Sequence, residues 1–213
     1  MSIIFSIEAA GAAANLDVNG EAIQATIRAL VSHHVAVTST LPVFEQFVAK
    51  RPDVPQKALD VLTEDARKAY QANRARIAGQ SFSVWPKMFQ REMEFERAFV
   101  KAGGALIAGL DPTGIGGIIA GFGDQREVEL LVEAGFTPLE AIKIQTLNGA
   151  EFLGEQDHIG SLAAGKQADI VVIKGDPSTN IQDIENVEVV FKDGIGYDPK
   201  KLIESVKGNV GNW

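Results

Sequence analysis

The sequence predicts an α/β fold with a small β unit appended near its C-terminal end, on three observations. First, Ala105-Leu106-Ile107-Ala108 is an apolar run flanked by glycines and too short for a helix, so it reads as a fully buried strand. Second, Glu21 to Ser32 carries Ile23, Ile27, Leu30 and Val31 at helical spacing, and a β-branched run over 35–40 follows after a short joint. That is the αβ half of a repeating βα unit. Third, the character changes from Asp157 onward: strands over 168–174 and 187–192 are joined through a turn-rich linker, broken at Gly175-Asp176-Pro177 and ended by Asp193-Gly194.

The remaining elements follow in order. Residues 1–19 begin small and apolar, with one short run at Ile3 to Ile7, and become turn-like over Asn15 to Gly20. His33 and His34 fall near the helix C-terminus, where a cation is favoured by the dipole, and read as capping or surface residues. Ser39 and Thr40 end the first strand, as pocket-lining hydroxyls or as partners of local backbone. Pro42 to Lys50 is a short helix with Phe44 and Phe47, and Arg51 to Pro55 is a break. Gln56 to Ile77 reads as one long helix striped by Leu59, Leu62, Ala66 and Tyr70. A loop at 79–83 leads to a helix over 84–102 bearing Met88, Met93, Phe95 and Phe99. Its Glu92, Glu94, Glu96 and Arg97 read as a solvated face laced with weak ion pairs. After the second strand, residues 124–134 form a helix closed by Gly135. Thr137, Pro138 and Glu140 spell a capping box with a proline start, for a helix that runs to about Thr146 and ends at Asn148-Gly149. Ala150 to Leu153 adds a further turn, and Lys200 to Lys207 a last short helix before a loose tail.

Composition narrows the chemistry. Of 213 residues, 46% are hydrophobic, enough for a sizeable core, and the net charge of −8 argues against nucleic acid or an anionic membrane as the main partner. With no cysteine, disulfides, thiolate metal sites and a cysteine nucleophile are excluded. Only His33, His34 and His158 are present, so this chain alone cannot build a histidine-rich metal site. No apolar run reaches the ~18 residues of a membrane span. The opening MSIIFSIEAAGAAA lacks a basic region and carries Glu8, unlike a signal peptide, which leaves the cytoplasm as the default expectation.

The candidate site is Asp111. It stands where the strand 105–108 emerges, with Pro112 ending backbone pairing and a glycine-rich loop following to Gly123. A carboxylate at the carboxyl end of a buried strand is how α/β barrels place catalytic groups, although an Asp also caps turns. A binding module that uses the loop as an anion nest is the weaker alternative, because no Lys-Ser/Thr of the P-loop kind adjoins it.

Two segments carry a resemblance. GFTPLEAIKIQTLNGAEFLG followed by DHIGSLAAGKQADIVVIKGDP, with Gly165, Lys166, Ala168 and Asp169 in a G-K-x-A-D pattern and then VEVVFKDG, resembles the C-terminal third of the amidohydrolase superfamily, in its imidazolonepropionase/prolidase-like branch. The resemblance implies the C-terminal portion of a (β/α)8 TIM-type barrel over 1–153, with part of a small β-sandwich over 154–213. It implies metal-dependent hydrolysis at C–N bonds of a small amide, cyclic amide or peptide-like substrate. Asp111 corresponds to the strand-eight aspartate that binds metal and acts as general base, although Leu110 replaces the family's usual threonine before it. Thr113 and Gly114 would border the substrate.

The family's H-x-H pair and its other strand histidines have no counterpart in this chain. The expectation is therefore a truncated chain that begins near strand seven, which alone retains no divalent metal (zinc in a complete enzyme) and is inactive. It would associate with the missing N-terminal barrel part or with itself. The competing expectation is a non-catalytic fragment that keeps packing or interaction surfaces.

Overall fold

The computed structural model describes residues 7–80, 83–112 and 118–211. The elements run α1 (Ile7–Ala14), α2 (Glu21–Ser32), β1 (Val37–Ser39), α3 (Leu41–Glu45), α4 (Gln56–Leu59), α5 (Glu64–Ala78), α6 (Trp85–Lys101) and β2 (Leu106–Ala108). Then come α7 (Phe122–Glu133), α8 (Pro138–Gln145), α9 (Leu147–Leu153), β3 (Ile170–Ile173), a 3-10 turn (Ile181–Glu185), β4 (Val187–Lys192), β5 (Ile195–Tyr197) and α10 (Pro199–Val206).

Strands β1 and β2 pair in parallel, with Val37 opposite Leu106 and Ser39 opposite Ala108. Both expected strands are present, though only three residues each keep the pairing. Side chains alternate across the sheet, so its two faces differ. Leu106 and Ser39 are fully buried on one face, while Thr38 is exposed. The buried side belongs to the main core, where Leu106 joins Leu41, Phe89, Leu130, Leu131 and Phe136. Among the described residues β1 and β2 form a sheet of two strands only, which leaves one edge of each unpaired.

Several expectations change on contact with the structure. The single helix over 56–77 is two helices: Thr63 interrupts it, its side chain accepting a hydrogen bond from the Ala66 amide, with Glu64 and Asp65 in the new first turn. The apolar N-terminal stretch includes a helix, α1, because Ala10 and Ala14 bury completely against Met88 of α6. Asn148 and Gly149 lie inside α9 and do not end a helix; the Asn148 amide donates to the Leu106 carbonyl at 2.8 Å, tying α9 to β2. The capping box at Thr137 is present as read, with Glu140 accepting from the Thr137 amide at 2.7 Å. The C-terminal unit holds three strands, where two were expected. They form an antiparallel sheet in the order β3-β4-β5, since Asp193-Gly194 makes a tight hairpin turn. A second sheet to complete a sandwich is not found among the described residues. No helix among them is long and apolar enough to cross a membrane.

Two substitutions probe this frame. Leu106→Ala deletes a fully buried side chain under the helices, and chemical denaturation is expected to show a loss of about 2–5 kcal/mol. Thr63→Ala, which removes only the cap, is expected to cost about 1 kcal/mol in the same measurement.

Candidate active site

Asp111 stands three residues past the last paired residue of β2, on the carboxyl side of the parallel pair, and is exposed. Its φ of 43° is left-handed, a conformation that Asp tolerates better than most residues. The chain leaves the sheet there by close approach: the Gly109 amide donates to the Ser39 carbonyl at 2.9 Å. A Cβ on Gly109 would lie 2.6 Å from the Thr38 methyl, so only glycine lets β2 exit against β1 at this point. Thr113 and Gly114, expected beside the substrate, lie outside the described residues. His33 caps α2, and His33, His34 and His158 are all exposed or at a turn away from β2's exit.

Sequence reasoning missed what lies behind β1. Ser39 is buried on the helix side, where it meets Glu96 of α6 and Glu127 of α7, which are 3% and 1% exposed. Glu92, one turn before Glu96, points an oxygen into the same interior. The solvated face expected of Glu92 and Glu96 is thus partly a buried one, because α6 packs against α3 and β2 along that stripe. The Ser39 hydroxyl, one oxygen each of Glu92 and Glu96, and both oxygens of Glu127 are buried without a hydrogen bond of proper geometry. The hydroxyl faces Glu96 and Glu127, and the Leu41 amide faces Glu127, closely enough to ease their charge a little. Burial dominates. It pushes Glu92 to about 9, with the Glu96 and Glu127 charges adding to it. It raises Glu96 to about 7 and Glu127 to about 8.

A contrasting charge network lines a cleft of about 290 Å³ between α3, the 52–57 segment, the start of α7 and the 3-10 turn. Buried Glu45 is held by Arg51 and Arg126 at 2.8 and 2.7 Å, and those arginines reach on to Glu133 and Glu129. Burial works against the Arg126 charge, but the Glu45 and Glu129 carboxylates outweigh it and hold the guanidinium more firmly protonated. The Arg51 hydrogen bond keeps Glu133 below the usual carboxylate range. Lys57 closes the rim on Glu185 at 2.9 Å. Every one of these charges has a partner of opposite sign, so the network fastens α3 to α7.

Among the described residues, no group of three or more His, Asp or Glu side chains could hold a metal ion. Asp111 on its own does not make a donor set for the divalent cation that the resemblance implies.

Comparison with known proteins agrees with the sequence resemblance. Residues 104–196 match the model of the amidohydrolase family. Over this segment the chain is similar to amidohydrolases. The segment contains β2, Asp111, β3, β4 and the start of β5. Adenine deaminase 2 of Jannaschia sp. (strain CCS1) is 37% identical over 80 residues, which cover 37% of this chain and 13% of that protein. The fold is shared with a putative prolidase from Bifidobacterium longum, with a TM-score of 0.54, 24% identity, and coverage of 80% of this chain and 38% of the other. The ochratoxinase of A. niger superposes with a TM-score of 0.54 at 22% identity, over 84% of this chain and 35% of its own. The chain therefore spans little more than a third of the length of these structural neighbours and a smaller part of the deaminase.

Removing the central member of the paired network is expected to be costly, because Arg51 and Arg126 both lose the buried carboxylate that they share. Glu45→Ala should lower stability by about 3 kcal/mol in urea denaturation, several times the effect of deleting an exposed pair such as Glu21–Arg28.

Proposed function

We propose that this chain is the C-terminal part of a metal-dependent amidohydrolase that hydrolyses C–N bonds of a small amide, cyclic amide or peptide-like molecule. The observation that carries the reading is the position of Asp111, past the carboxyl end of the second of two parallel strands and inside the segment that matches the family. Residues 1–153 would be the last strands and helices of a (β/α)8 barrel, and 154–213 a share of the appended β-sandwich. Asp111 would serve as metal ligand and general base, with Thr113 and Gly114 bordering the substrate.

The remaining donors for a divalent metal, zinc by our reading, would come from barrel strands outside this chain. Two features support that division. Among the described residues the outer edges of β1 and β2 are unpaired and Thr38 is exposed, as expected of strands that continue into a larger barrel. The names of the relatives, a deaminase and a prolidase, point to chemistry at bonds from carbon to nitrogen. A bound metal would supply an activated water; the part of this chain would be to present the Asp111 carboxylate and to shape the rim with Gly109. A second reading, a non-catalytic chain that retains interaction surfaces, is favoured by the apolar side chains left open on the small sheet, Val171 and Ile195 at 54% and 61% exposure.

Metal analysis and a hydrolysis screen over N-acyl amino acids, Xaa-Pro dipeptides and adenine would decide between them. The chain is tested alone and expressed in frame with the DNA upstream of Met1. We expect no stoichiometric metal and no turnover from the chain alone, and both from the extended protein. Asp111→Asn in the extended protein should lower turnover about 10²–10⁴-fold. Full activity of that variant would overturn the role of Asp111. Stoichiometric zinc on the chain alone would overturn the division of ligands, and an inactive, metal-free extended protein would favour the second reading.

A further inference from the structure

The proposed hydrolase gives no role to Glu92, Glu96 and Glu127, yet their arrangement is the least expected feature of the interior. Three carboxyls from two helices converge behind β1. Ser39, a fourth polar side chain from a third element, is fully buried, faces Glu96 and Glu127, and makes no hydrogen bond of proper geometry. Among the described residues, no cation offsets the burial of Glu92, Glu96 or Glu127. From α7, Asp124 faces Glu127 with another negative charge. Arg126 of the same helix is committed to Glu45 and Glu129, and Glu45 of α3 to Arg51 and Arg126. Arg91 of α6 pairs with Glu94 through its terminal nitrogen and leaves its Nε buried without an acceptor. From α8, Gln145 donates to Asp124 and leaves its own carbonyl oxygen buried. Neither β1 nor β2 carries a charged residue, and the donor set is not one that could hold a metal.

Such a group is stable in one form. A neutral carboxylic acid carries an O–H donor that an ionised one lacks, and it is the donor that Ser39 Oγ and the unpartnered carboxylate oxygens need. Three ionised carboxylates in this space would be uncompensated, and burying such charges is costly.

We propose that Glu92, Glu96, Glu127 and Ser39 form a proton-held latch, which docks α6 against β1 and α7 while its carboxyls are neutral and releases it when they ionise. The sign follows from linkage. These groups bind protons more tightly in the folded chain than in the unfolded one. They therefore cost nothing below the ordinary glutamate range, and they destabilise the fold progressively as pH rises from there through about 7 to 9. The latch fastens the layer directly behind β1, so its release loosens the strand that stands beside the Asp111 exit.

The direct test counts protons on the unmodified chain. Urea unfolding at pH 7 in weak buffer, followed by an indicator dye, is expected to release about two protons per chain. The thermal midpoint should fall steadily between pH 5 and pH 9. A Glu92→Gln, Glu96→Gln, Glu127→Gln triple variant keeps the shape, removes the protons and should show a flat midpoint over that range with no proton release. The wild-type measurement stands whether or not the variant folds. An unfolding reaction that releases no protons at pH 7, or a wild-type midpoint unchanged from pH 5 to pH 9, would overturn the latch.

Discussion

The parallel contact between β1 and β2 is the constraint on which the rest of this structure depends. It joins residues far apart in sequence, so the intervening α3 to α6 must fold back before the pair can close. Once it closes, the pleat sends Leu106 and Ser39 to one side and Thr38 to the other. The main core follows on the first side: α3, α6 and α7 contribute to it, and α8 and α9 close on β2. Asp111 projects where it does because Gly109 allows β2 to leave against Thr38.

The helix layer buries charge in two opposite ways within a single helix. On one face of α7, Arg126 joins Glu45 and Glu129, and each charge is answered. On another, Glu127 meets Glu96 and Ser39, and none is. Paired charges of the first kind hold while their acids are ionised. Acids of the second kind are most stable when they are not. The two demands overlap only at mildly acidic to neutral pH, which gives the chain a narrower range of best stability than either set would impose alone.

The G-K-x-A-D pattern illustrates how a motif can identify a family without marking chemistry. Asp169 accepts from the Asp193 amide and pairs with Lys192 at 2.7 Å, so the carboxylate pins the β4–β5 turn to the start of β3. That hydrogen bond, with the Lys192 ammonium beside it, keeps Asp169 below the usual carboxylate range. Lys166 ties its own loop by bonding Ser161 at 2.6 Å and the Gln156 carbonyl. These residues hold an exposed antiparallel sheet in shape. Nothing in the described arrangement brings them near Asp111's strand.

Local rules were enough to read much of this molecule. Glu21–Ser32, the Thr137 capping box and β4 follow from periodicity, capping chemistry and β-branched content, because each of these signals is carried by the element's own residues. Asp111's place after a buried strand followed from the same short-range signals. What the sequence could not decide is which side of each element meets another. The acids of α6 have the spacing of a solvated face, and only the packing of α6 against α3 and β2 takes Glu96 out of water. The break at Thr63 was also local and legible in hindsight, whereas α1 exists because α6 offers Met88 to bury its alanines. Patterns of hydrophobicity are set along one chain segment; desolvation is a property of two surfaces, and it comes into being only when they meet.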